Sequence, residues 1–320
     1  VTRLALVAAT VAAMTATGCD GPRRIPRIEP DLRNWEEPYV GVAGLRIHIF
    51  NTGGLEVPMA LLYEGGSWFS TRELEMSACV IEHPSAGLIV FDTGFSPRIA
   101  THPNAYLGWL APAVGAFSMA EGQDLPSQMR AVGLDPDAVA YVVLSHLHFD
   151  HTGSIEAFAN ATVVVARDER PSRATDRWYE PALLRSEDYD GVNDWFEIDF
   201  NSKDPYATFF AHYDLIGDGS IELIDLRGHS AGSQGMIVHA LGGPVLLAGD
   251  AVWVEENWRY GVSPLLAHDA DLLWEQIWRI KKFAQLVPST VIVPGHDTRG
   301  VMRRNAESIE LHGLEIQAGR

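Results

Sequence analysis

Four apolar runs in this chain stop at the same kind of place. Val139–Leu144 leads into Ser145-His146, Ile221–Leu226 into Gly228-His229, Val245–Leu247 into Gly249-Asp250, and Val291–Val293 into Gly295-His296. Continuous apolar runs bounded by Gly or Pro are the pattern of strands buried on both faces. Between the last two lies Asp269–Leu286, where Leu272, Leu273, Ile277, Ile280 and Phe283 recur at helical spacing. Strands alternating with such helices imply sheets covered on their outer faces by helices. His and Asp residues at the ends of several buried strands would then meet at one edge of a sheet.

The densest signal is Ser145-His146-Leu147-His148-Phe149-Asp150-His151-Thr152-Gly153. A lone His is more often an ordinary core or surface residue than a ligand. Three imidazoles and a carboxylate in this order reverse that judgement. His146 and His148 alternate, so in extended backbone both point to one side and can grip one ion. The chain then turns, and Asp150 and His151 can face a second ion about 3.5–4 Å away, the usual separation of paired catalytic metals. His229, Asp250 and His296 are further candidates, each placed as His146 is. Imidazole nitrogen and carboxylate oxygen suit two divalent cations, Zn first, with Fe, Mn or Co as alternatives.

The order His-x-His-x-Asp-His, then a separate His, an Asp and a last His, resembles the signature of the metallo-β-lactamase superfamily, with similarity from about Leu45 to Asp297. That resemblance implies an αββα sandwich: two mixed sheets face to face, with helices on both outer faces. It implies that His146, His148 and His229 hold one metal, that Asp150, His151 and His296 hold the other, and that Asp250 bridges them. It also implies hydrolysis by a hydroxide shared between the metals, with Asp150 and Asp250 as the catalytic carboxylates and Asp150 passing the proton to the leaving group. β-Lactamases of the superfamily lack the bridging Asp, and diiron redox relatives carry Glu where His148 stands. The N-acyl-homoserine lactonase branch is most similar, through His146–His151, through Glu82-His83-Pro84 to Asp92-Thr93-Gly94, through Glu256-Asn257-Trp258, and through Pro294-Gly295-His296-Asp297.

One position departs from that branch. Its lactonases carry Tyr three residues after the bridging Asp, whereas this chain has Trp253, whose indole N–H can only donate. Trp253, Phe149, Trp258 and Trp68 are candidates for an apolar substrate wall, with ordinary core packing as the alternative for each. The expected substrate is a lactone or related carboxylic ester. The alternatives are a phosphotriester (organophosphate) substrate and, from a different class, a non-catalytic zinc-binding lipoprotein.

Acidic residues outnumber basic ones by 42 to 24, giving a net charge of −18, which disfavours a nucleic-acid partner. Residues 1–18 read as a signal peptide, with Arg3 ahead of the apolar run Leu4–Met14. Ala16-Thr17-Gly18-Cys19 resembles a lipobox, so Cys19 is expected to carry lipid. The domain would then be exported and held to a membrane by that lipid alone, on a periplasmic or extracellular face. An ordinary cleaved signal with an incidental Cys is the alternative. Cys79 is the one other cysteine, and no disulfide is expected. Residues 19–40 are read as the anchored Cys and a flexible tether containing Pro22, Pro26, Pro30 and Pro38. Residues 41–320 are read as a single catalytic domain. Two stretches break the pattern. Ser96–Arg130 is read as an excursion with short helices, whose stretch Tyr106–Phe117 forms a lid, a homodimer contact or a membrane-facing surface. Arg170–Tyr213 is acidic, aromatic and without clear period.

Overall fold

The computed structural model describes residues 30–108, 115–170, 183–305 and 314–317. Cys19, Trp109, Trp178 and Tyr179, and with them the expected signal peptide, lie outside the described residues. One sheet contains β1 (Arg46–Pro58), β2 (Thr71–His83), β3 (Gly87–Phe91), β4 (Ala116–Ser118), β5 (Val139–Val143), β6 (Thr162–Ala166), β7 (Trp195–Ile198) and β13 (Leu314–Gln317). Its order is β13-β1-β2-β3-β5-β6-β7, with β4 on the same side of β1 as β13 but at the other end. The second sheet contains β8 (His212–Asp214), β9 (Ile221–Asp225), β10 (Gln234–Ala240), β11 (Gly243–Leu247) and β12 (Val291–Val293), in the order β12-β11-β10-β9-β8. Both sheets are mixed. β3, β5, β6 and β7 run parallel, as do β11 and β12, while β1-β2-β3 and β8-β9-β10-β11 are antiparallel.

Strand side chains alternate between two apolar layers, which is why the runs carry few polar positions, Glu222 and Asp225 being the exceptions. Ile47, Ile49, Cys79, Ile81, Ile89, Phe91 and Val143 of the first sheet meet Ile221, Leu223, Met236, Val238, Val245, Leu247, Val291 and Val293 of the second. The intervening Ile224, Ile237, Leu246 and Ile292 point outward, onto Leu273, Ile277, Ile280 and Phe283 of the helix Ala270–Leu286. Asp269 starts that helix by accepting the Leu272 N–H, a cap that contributes about 1 kcal/mol. On the far face of the first sheet, Phe50, Val80, Val90 and Val142 pack with Leu125 and Met129 of the helix Leu125–Ala131. The result is an αββα sandwich. Cys79 is a free, buried thiol in its central layer.

Residues 30–40, expected to be part of a flexible tether, make ordered contacts with the rest of the chain. Arg33 and Ala207 exchange both backbone hydrogen bonds, Trp35 meets Phe283 edge-on at 5.1 Å, and the Tyr39 hydroxyl donates to Ala240 O. Residues 30–40 therefore dock on the second sheet, because Trp35 and Tyr39 bring more apolar surface than a solvated linker can leave in water. The two irregular stretches meet each other. The Tyr106 hydroxyl donates to Asp188 Oδ2 at 2.5 Å, and Arg185 donates to Leu107 O.

Candidate metal centre

Five strands deliver the polar cluster, all from their C-terminal ends. β5 ends one turn before His146, and the chain passes through His148 into the short helix Phe149–Thr152, which carries Asp150 and His151. β9 leads to His229, β11 to Asp250 and β12 to His296. β3 runs into Asp92, so a second carboxylate arrives by the same route. Close backbone approach accompanies this convergence. A Cβ at Gly295 would lie 2.7 Å from Asp250 Oδ1, so only glycine leaves that carboxylate its place.

The seven side chains named from the sequence converge as two groups joined by one residue. His146, His148 and His229 bring ligand atoms together, as do Asp150, His151 and His296, and Asp250 groups with His146 and His151. Asp250 divides its oxygens between them: Oδ2 lies 3.3 Å from His229 Nε2, and Oδ1 lies 3.0 Å from His296 Nε2 and 3.2 Å from His151 Nε2. Within the first group His148 Nδ1 is 2.8 Å from His146 Nε2 and 3.2 Å from His229 Nε2. Asp150 Oδ2 stands 3.7 Å from both His151 Nε2 and His296 Nε2, and it is the one member with a side chain partly open to solvent.

The rear nitrogen of four rings is held. His151 Nδ1 faces Asp92 Oδ2 at 2.9 Å, His146 Nδ1 faces Ser145 Oγ at 3.0 Å, His296 Nδ1 faces Glu75 O at 3.0 Å, and His229 Nδ1 faces Leu266 O at 3.2 Å. Such contacts set the tautomer and turn the other nitrogen toward the shared space. Burial holds His146 and His148 well below the usual imidazole range, helped by the neighbouring rings, and burial lowers His229. These rings are neutral, as ligation requires. His151 and His296 shift the other way: burial opposes their charge most strongly, but the surrounding carboxylates, Asp250 first among them, together outweigh it. The same imidazoles keep Asp250 ionised despite its burial.

This donor set fits two divalent cations. Among the described residues His151 Nε2 and Asp250 Oδ1, 3.2 Å apart, find no well-aligned hydrogen-bond partner, an arrangement that costs about 1–3 kcal/mol unless something satisfies it. A cation among neutral imidazole nitrogens and carboxylate oxygens removes that cost, and such donors suit Zn²⁺ and other divalent first-row metals.

The aromatic candidates separate. Trp253 is buried between the two groups, its ring 5.8 Å from those of His229 and His296, and its Nε1 is buried without a hydrogen-bond partner among the described residues. Phe149 stacks on Phe95 and meets Phe117 edge-on, in the same apolar cluster as Trp253. Trp258 and Trp68 are not part of that wall. Trp258 packs against the layer beneath the second sheet, because the helix Glu255–Tyr260 turns it away from Trp253. Trp68 stands exposed on the loop before β2. Asp92 was the residue whose role the motif reading missed. Its signal was already present, since it too follows an apolar run, Leu88–Phe91.

An αββα sandwich with two ligand groups sharing one carboxylate at the strand ends defines a dinuclear metallohydrolase scaffold. The chain belongs to the metallo-beta-lactamase superfamily, whose family model matches residues 75–296. Among characterised proteins it is similar to the N-acyl homoserine lactonase AttM of Agrobacterium fabrum, 29% identical over 255 residues that cover 79% of this chain and 93% of the relative. The N-acyl homoserine lactonase AiiA of Bacillus thuringiensis subsp. kurstaki is 29% identical over 220 residues, covering 68% and 80% of the two chains. Among solved structures, an N-acyl homoserine lactone hydrolase with N-hexanoyl-L-homoserine bound at its catalytic metal centre superposes with a TM-score of 0.63. That pair is 24% identical and covers 78% of this chain and 92% of the other.

Proposed function

We propose that this protein is a dinuclear metal-dependent hydrolase that opens N-acyl homoserine lactones or closely related lactones. The observation that carries the reading is the division of Asp250, one oxygen toward His229 and the other toward His151 and His296. His146, His148 and His229 would hold one cation and Asp150, His151 and His296 the other. Bound there, the pair would supply Lewis acidity and water acidified from a pKa of about 15.7 toward 7. The similarity to named lactonases supports the substrate class.

The chain's own residues do the rest. Asp150, partly open to solvent beside His151 and His296, is placed to take up a proton and return it to the departing alkoxide. Trp253 offers a buried, unpartnered N–H beside both ligand groups, and a lactone carbonyl or amide oxygen would satisfy it. Phe149, Phe95 and Phe117 form the apolar cluster beyond it, suited to an acyl chain. The chain is acidic, so a neutral acylated lactone meets less repulsion than a phosphate polyanion would.

The test is ring opening of short- and long-chain acyl homoserine lactones by the metal-loaded protein. Turnover lost on chelation and restored by Zn²⁺ is the expected result. Two bound metals per chain with no lactone turnover would sink the substrate assignment and move it to phosphotriesters. We also infer from the N-terminal sequence that the protein lies outside the cytoplasm, held by lipid on Cys19. That part is supported by the apolar run Leu4–Met14 and the Ala16-Thr17-Gly18-Cys19 sequence. Cys19→Ser should release the protein from the membrane fraction, and its retention there would refute the anchor.

A further inference from the structure

The two strands that supply the first ligand group belong to different sheets, and something must hold their ends at ligand distance. His146 and His148 follow β5 of the first sheet, and His229 follows β9 of the second. Between them lies Glu169, in the short turn Arg167–Glu169 after β6, with its side chain buried. Its Oε1 accepts the Leu147 N–H at 3.0 Å, from the residue between His146 and His148. Its Oε2 accepts the Ser230 hydroxyl at 2.7 Å and the Gly232 N–H at 2.8 Å, beside His229.

We infer that Glu169 is a positioning residue for the His146, His148 and His229 group, tying the two loops that carry it across the gap between the sheets. The inference rests on the reading of these side chains as metal ligands.

The chemistry of the tie is specific. A carboxylate has only acceptor positions, and here all three described partners are donors. Hydrogen bonds to an ionised acceptor are about twice as strong as neutral ones. Glutamine would keep the shape but turn an NH2 toward either the Leu147 N–H or the Ser230 and Gly232 donors. The loop has little room to move away. A Cβ at Gly232 would lie 2.3 Å from the backbone N of Glu169, so the two segments already touch. Gln234 adds a second tie nearby, its N–H donating to Ser145 O at 2.9 Å and its side chain to Leu144 O at 2.8 Å.

None of these three Glu169 bonds reaches the other group. There, His151 is oriented by Asp92, and His296 by the backbone of Glu75. Loss of the Glu169 tie should therefore loosen one metal position and leave the other, an asymmetry that general destabilisation would not produce.

The test is titration of the full-length metal-free protein with Co²⁺, following the visible absorption of each site against a competing chelator. His229→Ala and His296→Ala assign the two spectral components. Wild type should bind two equivalents. Glu169→Gln should weaken the component lost in His229→Ala by roughly 10–100-fold, the usual effect of removing an orienting partner, and shift the other less than about threefold. Ser230→Ala removes one of the three bonds and should weaken the same component by a smaller factor. It decides the matter if Glu169→Gln does not fold. Equal weakening of both components, or none in either variant, overturns the inference. A wild type that binds fewer than two equivalents overturns the ligand reading itself, and this inference with it.

Discussion

The Asp92 carboxylate lies 2.9 Å from His151 Nδ1, and this turns the other ring nitrogen toward Asp250. Asp92 reaches that position at a left-handed φ of 57°, which is uncommon for Asp, and its other oxygen accepts the Ser145 N–H at 2.7 Å. One carboxylate thus orients a ligand from the second group and fixes the backbone that precedes the first. Asp92→Asn should lower affinity for the Asp150, His151 and His296 metal by about 10–100-fold, read by chelator competition. Unchanged affinity would show that the ring is held by packing alone.

Asp250 is the shared member, so its loss should not be graded. Asp250→Ala removes an oxygen from each group and should cost at least one metal equivalent by elemental analysis, together with all measurable hydrolysis. A variant retaining two metals and full turnover would rule out the shared-carboxylate arrangement.

Trp253 is the residue to separate binding from chemistry. Trp253→Phe keeps an aromatic ring between His229 and His296 and deletes the N–H that has no partner. A lost hydrogen bond of about 1–1.5 kcal/mol corresponds to roughly a tenfold fall in kcat/KM, with metal content unchanged. Equal kcat/KM in wild type and variant would show that the indole only packs.

Metal removal should lower stability without dissolving the sandwich, because the three apolar layers do not depend on the ligands. At a metal concentration 100-fold above its dissociation constant, each site adds about 2.7 kcal/mol. Chelation should lower Tm by several degrees while far-ultraviolet circular dichroism stays close to that of the metal-bound protein. Collapse of the dichroism on chelation would show that the core needs its metals.

Glu222 provides a pH test away from the centre. Burial raises its carboxyl to about 7, aided by the nearby Asp214, from an ordinary value of 4.5. Between those values the folded chain binds the proton that the unfolded chain releases. Its contribution to stability is therefore fully present below about 4.5 and is lost as pH rises through about 7. Urea midpoints should fall as pH rises from about 4.5 to about 7 in wild type and fall less in Glu222→Gln. Parallel curves would exclude Glu222 as the source.

The legible part of the molecule was the part written in local pattern. Runs such as Val139–Leu144 and Val291–Val293 announce strands buried on both faces, and the spacing from Leu272 to Phe283 announces the helix Ala270–Leu286. β10 and β6 were not singled out, although Gln234–Ala240 and Thr162–Ala166 are equally buried. Gln234–Ala240 is followed by no ligand-type residue, and the acids after Thr162–Ala166, Asp168 and Glu169, do not follow a Gly or Ser as His146, His229, Asp250 and His296 do.

The sequence by itself determined which residues could bind metal, because ligand chemistry and its place at a strand end are both properties of a short segment. Only the tertiary structure decided which carboxylate serves which ring, since Asp92 meets His151 across 59 positions and Glu169 meets Ser230 across 61. It also decided between tryptophans five residues apart. Trp253 faces the ligands and Trp258 the opposite layer, because the turn into the helix Glu255–Tyr260 falls between them. Periodicity is carried by neighbours in the chain, whereas the partner of a buried polar group is set by whichever segment packing brings within about 3 Å of it.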